Sequence, residues 1–490
     1  MLVMDALNAL SPLPPSLSNA YDPEEFRSFG HKMVDMLADH LAHSQNRGAK
    51  SSFPGHSPAE EMAFWKATIH GDGASEQGAV LEAMLKRSNQ LHDPRYMGHQ
   101  VAVPFPREAW VGAMTDLMNN GQAIYEMGPS NAALEELLMQ EIGQMLGLPD
   151  GCGGILCHGG TLGNLVALLA AQRHAFLKKG GDSWTEGVEP GSVAILVSEQ
   201  AHYCIDRAVR ILGWGAEAIV LVGTDNHHRM DLDDLEKKGR DIQSQGKSIL
   251  ALVGSACTTS TGAFDPLQGM AQWAKANDVW FHVDGAHGAP AAFSAKHRHL
   301  VQGMECAQSV VMDFHKLCGL PALCTGVFYR EQGLSFLPFL QEAEYLWSDA
   351  SQQDWWDTGK RTLECTKRML STRLMSLRSE AGFDIWGKLV DRLWEIASCF
   401  AAEIQQRDGW ELAMTPQANI VCFRPNAFQK MTANEIQAHR STYLRTGSGY
   451  VVSTSVHGER WLRCAFMNPL TEAQDCREML EEWEAILAAD

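Results

Sequence analysis

The sequence predicts an α/β fold. A mostly parallel seven-stranded sheet covered by helices on both faces is preceded by a helical segment and followed by a smaller α/β unit. From about residue 150 to 330, short apolar runs alternate with helical patterns. Several runs stop abruptly at turns bearing Gly, Thr, Asp or Lys, the places where open α/β sheets keep their chemistry. The chain has 490 residues, too many for one ordinary core.

Residues 1–20 are rich in Pro, Ser and Asn and read as a loose leader. A helix is expected from Asp22-Pro23-Glu24-Glu25: Asp22 can cap it, Pro23 suits its first turn, and acids meet its positive end. Phe26, Phe29, Met33, Met36, Leu37 and Leu41 then form one apolar stripe, which needs a surface to bury it. A Gly/Ser/Pro-rich patch (48–58) precedes helices near 59–69, 78–89, 107–119 and 132–146. Strands are expected at 154–157, 193–198, 218–222, 249–254, 280–283, 308–312 and 323–329, with helices near 162–178, 203–212, 232–245 and 267–277 between them. An aromatic, acidic loop (341–359) leads to helices near 362–381 and 383–407. Strands near 411–414, 420–423, 450–456 and 461–464 and a last helix after Thr471 close the chain. Three units follow, 1–90, 91–375 and 376–490.

Hydrophobic residues make up 45% and charged residues 20%, a globular balance. Asp+Glu 59 against Lys+Arg 40 gives a net charge of -19, which argues against nucleic-acid or anionic-membrane partners. The 12 cysteines are scattered, with no second pair at zinc spacing beside Cys152 and Cys157, so no metal is expected and the thiols read as reduced. No basic segment followed by an apolar run opens the chain, and no apolar stretch approaches bilayer length; a cytoplasmic location is expected.

In Ser309-Val310-Val311-Met312-Asp313-Phe314-His315-Lys316, a buried strand delivers Lys316 just past its end. A lysine there is most often a solvated loop charge; partly desolvated, it would lose its proton more readily and suit Schiff-base chemistry. Cys157-His158-Gly159-Gly160-Thr161-Leu162-Gly163-Asn164 is either a tight strand-to-helix turn or an anion site, and His158 stands where a full GxGxxG has its first glycine. Trp280 to Asp284 is a strand that carries a carboxylate to Gly285-Ala286, small residues with room for a flat group. A helix cap, or a metal ligand alongside His282 and His287, are its other readings. His202 is either a cover for a strand-end ligand or an ordinary surface imidazole, and Thr258-Thr259-Ser260-Thr261-Gly262 offers hydroxyls in a turn. An anion cradle, a buried carboxylate, a flat space and a strand-end lysine are what pyridoxal phosphate needs for its phosphate, ring nitrogen, ring face and aldehyde.

With Asp93-Pro94-Arg95-Tyr96, Ala201-His202-Tyr203, His282-Val283-Asp284 and His315-Lys316, the chain from about Phe26 to Leu480 resembles the group II pyridoxal-phosphate-dependent amino-acid decarboxylases. That family includes aromatic amino-acid, glutamate, cysteine-sulfinate and diaminobutyrate decarboxylases. The resemblance implies the fold-type I architecture of pyridoxal-phosphate-dependent transferases, with 91–375 as the large cofactor-binding domain and 376–490 as the small one. It also implies a homodimer with active sites at the subunit interface, residues 1–90 packing on the partner.

By resemblance, Lys316 bonds the cofactor, Asp284 meets its ring nitrogen, and His202 and Ala286 cover its two faces. Gly160, Thr161 and His315 contact the phosphate, and Thr259 supports the ring at one remove. Tyr345, in Glu344-Tyr345-Leu346, resembles the lid tyrosine that protonates the substrate carbon after CO2 leaves. His99 and Gln100 lie in a loop that meets substrate in relatives, and Gln100 tilts the expected substrate towards an acidic or small polar amino acid. Asp93 interrupts the usual His-Pro, Gly285 and His287 replace the more frequent Ala and Tyr, and Asp313 stands where some members have Asn. The expected reaction is decarboxylation of an L-α-amino acid. The alternatives are an aldehyde synthase, transaminase or lyase on the same fold, or a catalytically idle binder; the presence of Tyr345 and His202 favours plain decarboxylation.

Overall fold

The structure, a computed structural model, describes residues 12–70, 77–339 and 354–489. The seven expected strands form one sheet: β1 (Gly153–Cys157), β2 (Val193–Ser198), β3 (Ile219–Val222), β4 (Ser248–Ser255), β5 (Trp280–Asp284), β6 (Ser309–Asp313) and β7 (Thr325–Tyr329). Their order is β1-β7-β6-β5-β4-β2-β3. Strands β3, β2, β4, β5 and β6 pair in parallel, while β7 runs antiparallel to both β6 and β1. β1, β2, β5, β6 and β7 are buried along their whole length, which is why they read as unbroken apolar runs rather than alternating ones.

Helices cover both faces. On one face Ala167, Leu168 and Ala171 of helix Gly160–Lys178 and Ile205, Ala208 and Val209 of helix Cys204–Ile211 pack on Ile195 and Val253. On the other, helices Pro129–Met145, Leu232–Ser244 and Leu267–Ala276 supply Leu138, Leu235 and Met270 to a larger core. That core continues under a second, antiparallel sheet, ordered β10-β11-β9-β8, of β8 (Trp410–Leu412), β9 (Ile420–Pro425), β10 (Val452–Val456) and β11 (Glu459–Ala465). Trp386, Val390 and Phe400 from helix Asp384–Gln406 and Met479, Leu480 and Trp483 from helix Ala473–Ala488 fill it.

Two elements differ from expectation. The helix expected from 362 starts at Leu370, because the bends before it are held against β1 by buried charges described below. Helix Ala433–Thr446 was not anticipated; its signal is the capping box of Thr432 and Glu435, whose side chains each satisfy the other's backbone N–H.

The N-terminal helix spans Pro23–Gln45 and is capped as expected, Asp22 accepting from the Glu24 N–H at 2.8 Å. It buries only Ser44, and helices Pro58–His70 and Gln77–Arg87 bury no residue. Phe26 is 63% exposed and Phe29, Met33, Met36, Leu37 and Leu41 are only half-buried, so the apolar stripe is incompletely covered within the described chain. Among the described residues no helix is long and apolar enough to cross a membrane.

Candidate active site

β1, β2, β4, β5 and β6 end at the same edge of the sheet, and the turns that follow them enclose a cavity of about 290 Å3. Gly160, Thr161, His202, Thr259, Asp284, Ala286, His315 and Lys316 all line it. Residues scattered over more than 150 positions of sequence thus meet because parallel strands bring their carboxyl ends together. Tyr345 lies outside the described residues. His99 and Gln100 do not line this cavity; their loop passes beside it, the Ala102 N–H donating to the His315 carbonyl at 3.2 Å.

Helix Gly160–Lys178 begins at the cavity wall with Gly159 at φ 106, a left-handed conformation suited to glycine, and no side chain caps it. The Leu162 N–H returns to the Gly159 carbonyl, so the N–H groups of Gly160 and Thr161 have no intrahelical acceptor and are available to an anion. A Cβ on Gly160 would stand 2.9 Å from Asp313 Oδ2 and 3.3 Å from the Ala286 Cβ. The cradle therefore exists only because that position lacks a side chain. Gly285 serves a different purpose from the one expected: a Cβ there would meet Ala289 at 2.7 Å and the Val311 carbonyl at 2.9 Å, so protein and not a flat ligand fills its space.

Lys316 Nζ lies 3.0 Å from Asp313 Oδ2. Burial alone would ease its proton off, as the sequence suggested, but Asp313 and Asp284 together outweigh burial and raise its pKa. Before any cofactor binds, Lys316 is an ammonium. Asp313 is fixed from behind by the Thr325 hydroxyl, which donates at 2.5 Å, and faces His315 Nε2 at 3.7 Å. Asp284, 8% exposed, accepts only the Ala286 N–H at 3.2 Å and has no ion pair among the described residues. A buried carboxylate in that state needs a cationic partner, and a protonated ring nitrogen is one.

His202 is lowered in pKa by burial, with Lys316 and Arg207 adding to it against Asp284 and Asp313. Its Nδ1 accepts from the Cys204 N–H at 3.3 Å. His282 has both ring nitrogens engaged, with Ser309 Oγ at 2.8 Å and Asn164 Oδ1 at 2.7 Å, and burial pushes its pKa down to about 4. It is an internal strut between β5, β6 and the cradle helix, with neither nitrogen left for a metal. His287 also lines the cavity, its Nε2 2.8 Å from Asn419 Oδ1. Because Asn419 Nδ2 donates to the Phe466 carbonyl, its Oδ1 accepts from His287, leaving Nδ1 a buried acceptor without a partner.

One buried charge escaped the sequence reading; it does not line the cavity, but its field reaches Cys257 and His287, which do. Arg463, in β11, is 5% exposed, donates from Nη2 to Gln100 Oε1 at 2.7 Å, and has no acceptor at Nε. No carboxylate pairs with it among the described residues, and burial lowers its pKa. Gln100 Nε2 is likewise buried without a partner. The signal was in the sequence: a single charge inside Trp461-Leu462-Arg463-Cys464-Ala465-Phe466 is out of place in an apolar strand unless something polar meets it.

Residues 108–426 match the pyridoxal-dependent decarboxylase conserved domain. The cysteine sulfinic acid decarboxylase of Mus musculus is 28% identical over 389 residues, 75% of this chain and 77% of that one. The aspartate 1-decarboxylase of Aliivibrio fischeri is 31% identical over 375 residues, 69% of this chain and 66% of that one. The crystal structure of mouse CSAD superposes with a TM-score of 0.84 at 22% identity, covering 95% of this chain and 99% of that one. The cradle, the carboxylate without a cation and the strand-end lysine fit the cofactor those names imply, and with the domain match they establish that this chain belongs to the pyridoxal-dependent decarboxylase family, amino-acid carboxy-lyases that use pyridoxal 5′-phosphate.

Proposed function

We propose that the enzyme removes the α-carboxyl group of an L-α-amino acid with an acidic or small polar side chain, such as aspartate, glutamate or cysteine sulfinate. The observation that carries the substrate class is Arg463, a buried guanidinium with no carboxylate beside it among the described residues. Neither Arg463 nor Gln100 lines the cofactor cavity, but among the described residues the Arg463 Nε and the Gln100 Nε2 are two buried donors without acceptors, and an anionic side chain extending beyond that cavity would supply the missing partner. A diamino substrate would instead set an ammonium against Arg463. His99, its Nε2 3.1 Å from Tyr450 Oη, steadies the loop that presents Gln100. The cysteine sulfinic acid and aspartate decarboxylases among the relatives support the same reading.

Pyridoxal 5′-phosphate, when bound, supplies an electron sink for the bond to the departing carboxylate. Lys316 would hold its aldehyde carbon, Asp284 its ring nitrogen, and His202 and Ala286 its two faces, with Thr259 in support. Gly160, Thr161 and His315 would hold its phosphate. Cys204, Cys257, Ala286 and Leu323 contribute apolar wall to the cavity, which keeps water from the substrate carboxylate and raises its energy relative to neutral CO2. Tyr345 Oη then gives a proton to the substrate Cα.

The working unit is a homodimer in this reading. Helices Pro23–Gln45, Pro58–His70 and Gln77–Arg87 bury almost nothing against their own chain, and a partner subunit supplies the surface they lack.

Amine and CO2 measured across acidic, diamino and aromatic L-amino acids test the reading. Acidic substrates are expected to give the highest kcat/KM. An aromatic amino acid turned over best would overturn the substrate class, and aldehyde with peroxide in place of amine would overturn the reaction.

A further inference from the structure

We propose that His158, clamped by Glu364, is a further positioning residue for the cofactor's phosphate. This needs only the cofactor and stands whichever amino acid is the substrate.

His158 lines the cavity and directly precedes Gly159, Gly160 and Thr161 at the end of β1. Its Nδ1 lies 3.0 Å from Glu364 Oε1, and its backbone N–H points at the same oxygen at 3.4 Å. An ionised carboxylate only accepts, so Nδ1 carries the hydrogen and Nε2 is the nitrogen left for a ligand. Burial would raise the Glu364 pKa, but the bond from His158, its own backbone N–H and the charge of Lys367 bring it below the usual range. Glu364 is therefore a carboxylate, with Oε2 buried and unpartnered.

The chain around Glu364 is built to hold it there. Arg361 pairs with Glu136 at 3.0 Å and donates to the Gly154 carbonyl at 2.6 Å. Lys367 pairs with Glu135 and donates to the Leu156 carbonyl at 2.7 Å. Residues 361 and 367 are thus pinned to β1 at Gly154 and Leu156, and Glu364 between them reaches past the strand's end to His158. Breaking either buried pair would leave a charge uncompensated, so the staple is firm.

The charge balance of the cavity gives His158 its task. Among the described lining residues Lys316 is the sole lysine, and no arginine is present. Once Lys316 is committed to the cofactor's aldehyde, Asp313 loses its Nζ partner at 3.0 Å and is left with the His315 imidazole, 3.7 Å away, at the phosphate end of the cavity. His202 and His287 are held neutral by burial. A phosphate next to a carboxylate calls for more hydrogen-bonding partners than one imidazole and a helix N-terminus provide. His158 is the other imidazole at that end: Glu364 holds its Nδ1, and a hydrogen shared between Nε2 and a phosphate oxygen would join it to the cofactor.

The test is equilibrium titration of the dimeric apoenzyme with pyridoxal 5′-phosphate and, separately, with pyridoxal, which lacks the phosphate. Absorbance and protein fluorescence give both affinities, with no turnover involved. His158→Ala is expected to weaken the phosphorylated ligand by about tenfold or more while leaving pyridoxal unchanged, and His158→Arg to recover part of the loss. Glu364→Gln is expected to weaken the phosphorylated ligand by about threefold, again without effect on pyridoxal. Equal weakening of both ligands would mean a structural role and overturn the inference, as would an unchanged affinity in His158→Ala. Should that variant fail to fold by circular dichroism, the ratio of the two affinities in Glu364→Gln decides alone.

Discussion

Replacing Arg463 by methionine keeps most of the unbranched apolar stem and removes the charge, and the structure assigns opposite signs to the effects on stability and on catalysis. The guanidinium is 5% exposed and, among the described residues, donates only to Gln100 Oε1 at 2.7 Å. Exchanging a buried ionic group for a hydrophobe of similar size is often neutral or stabilising by about 1–4 kcal/mol. Here the lost charged hydrogen bond, roughly 1.5–3 kcal/mol, offsets much of that gain. The apoenzyme variant should be as stable as the parent or up to about 2 kcal/mol more so, read as a urea midpoint shift at constant slope. Losing a charge-assisted contact to a substrate carboxylate should cost about 3–4 kcal/mol in the transition state, which is roughly 100- to 1,000-fold in kcat/KM for an acidic amino acid. Small neutral substrates should lose far less. A variant that unfolds at markedly lower urea yet handles acidic substrates like the parent would show that Arg463 is structural and refute the assignment.

Lys316→Ala should lower amine production roughly a thousandfold or more and abolish the borohydride-reducible yellow chromophore; undiminished turnover would end the proposed mechanism. Gly160→Ala places a Cβ 2.9 Å from Asp313 Oδ2, so overpacking should cost about 1–3 kcal/mol of stability and loosen the cofactor, both visible in denaturation and in apoenzyme titration. Asp265 accepts the N–H groups of Met230 and Ser255 but is fully enclosed, and burial pushes its pKa up to about 6. A carboxyl whose folded pKa exceeds its unfolded value binds more protons in the native state. Its contribution is therefore present at low pH and is lost as pH rises from about 4 to 6, by roughly 3 kcal/mol. Asp265→Asn should flatten apoenzyme stability across that window, and an unchanged pH slope would contradict the assignment.

The sequence by itself determined the strands of the main sheet and the chemistry at their ends. Fully buried parallel strands are continuous apolar runs, and the break from Met312 to Asp313 or from Val283 to Asp284 is abrupt because a ligand-binding edge begins there. For the same reason Lys316, Asp284, His202 and the Gly159-Gly160-Thr161 turn were legible one by one, each at or just past the end of its strand.

What only the tertiary structure decided is which charges face one another across space. Desolvation argued for a neutral Lys316; the carboxylates of Asp313 and Asp284 reversed the sign, and their positions relative to Nζ are no property of local sequence. Arg463 and Gln100 are 363 residues apart, and only the packing of β11 against the loop after Tyr96 brings them into contact. Likewise the stretch before Leu370 looked helical because its side chains suit a helix, yet Arg361, Glu364 and Lys367 are bound to Glu136, His158 and Glu135. Local propensity is worth tenths of a kilocalorie per residue, and a buried charge that would otherwise lie unpaired costs several kilocalories, so the long-range partners prevail.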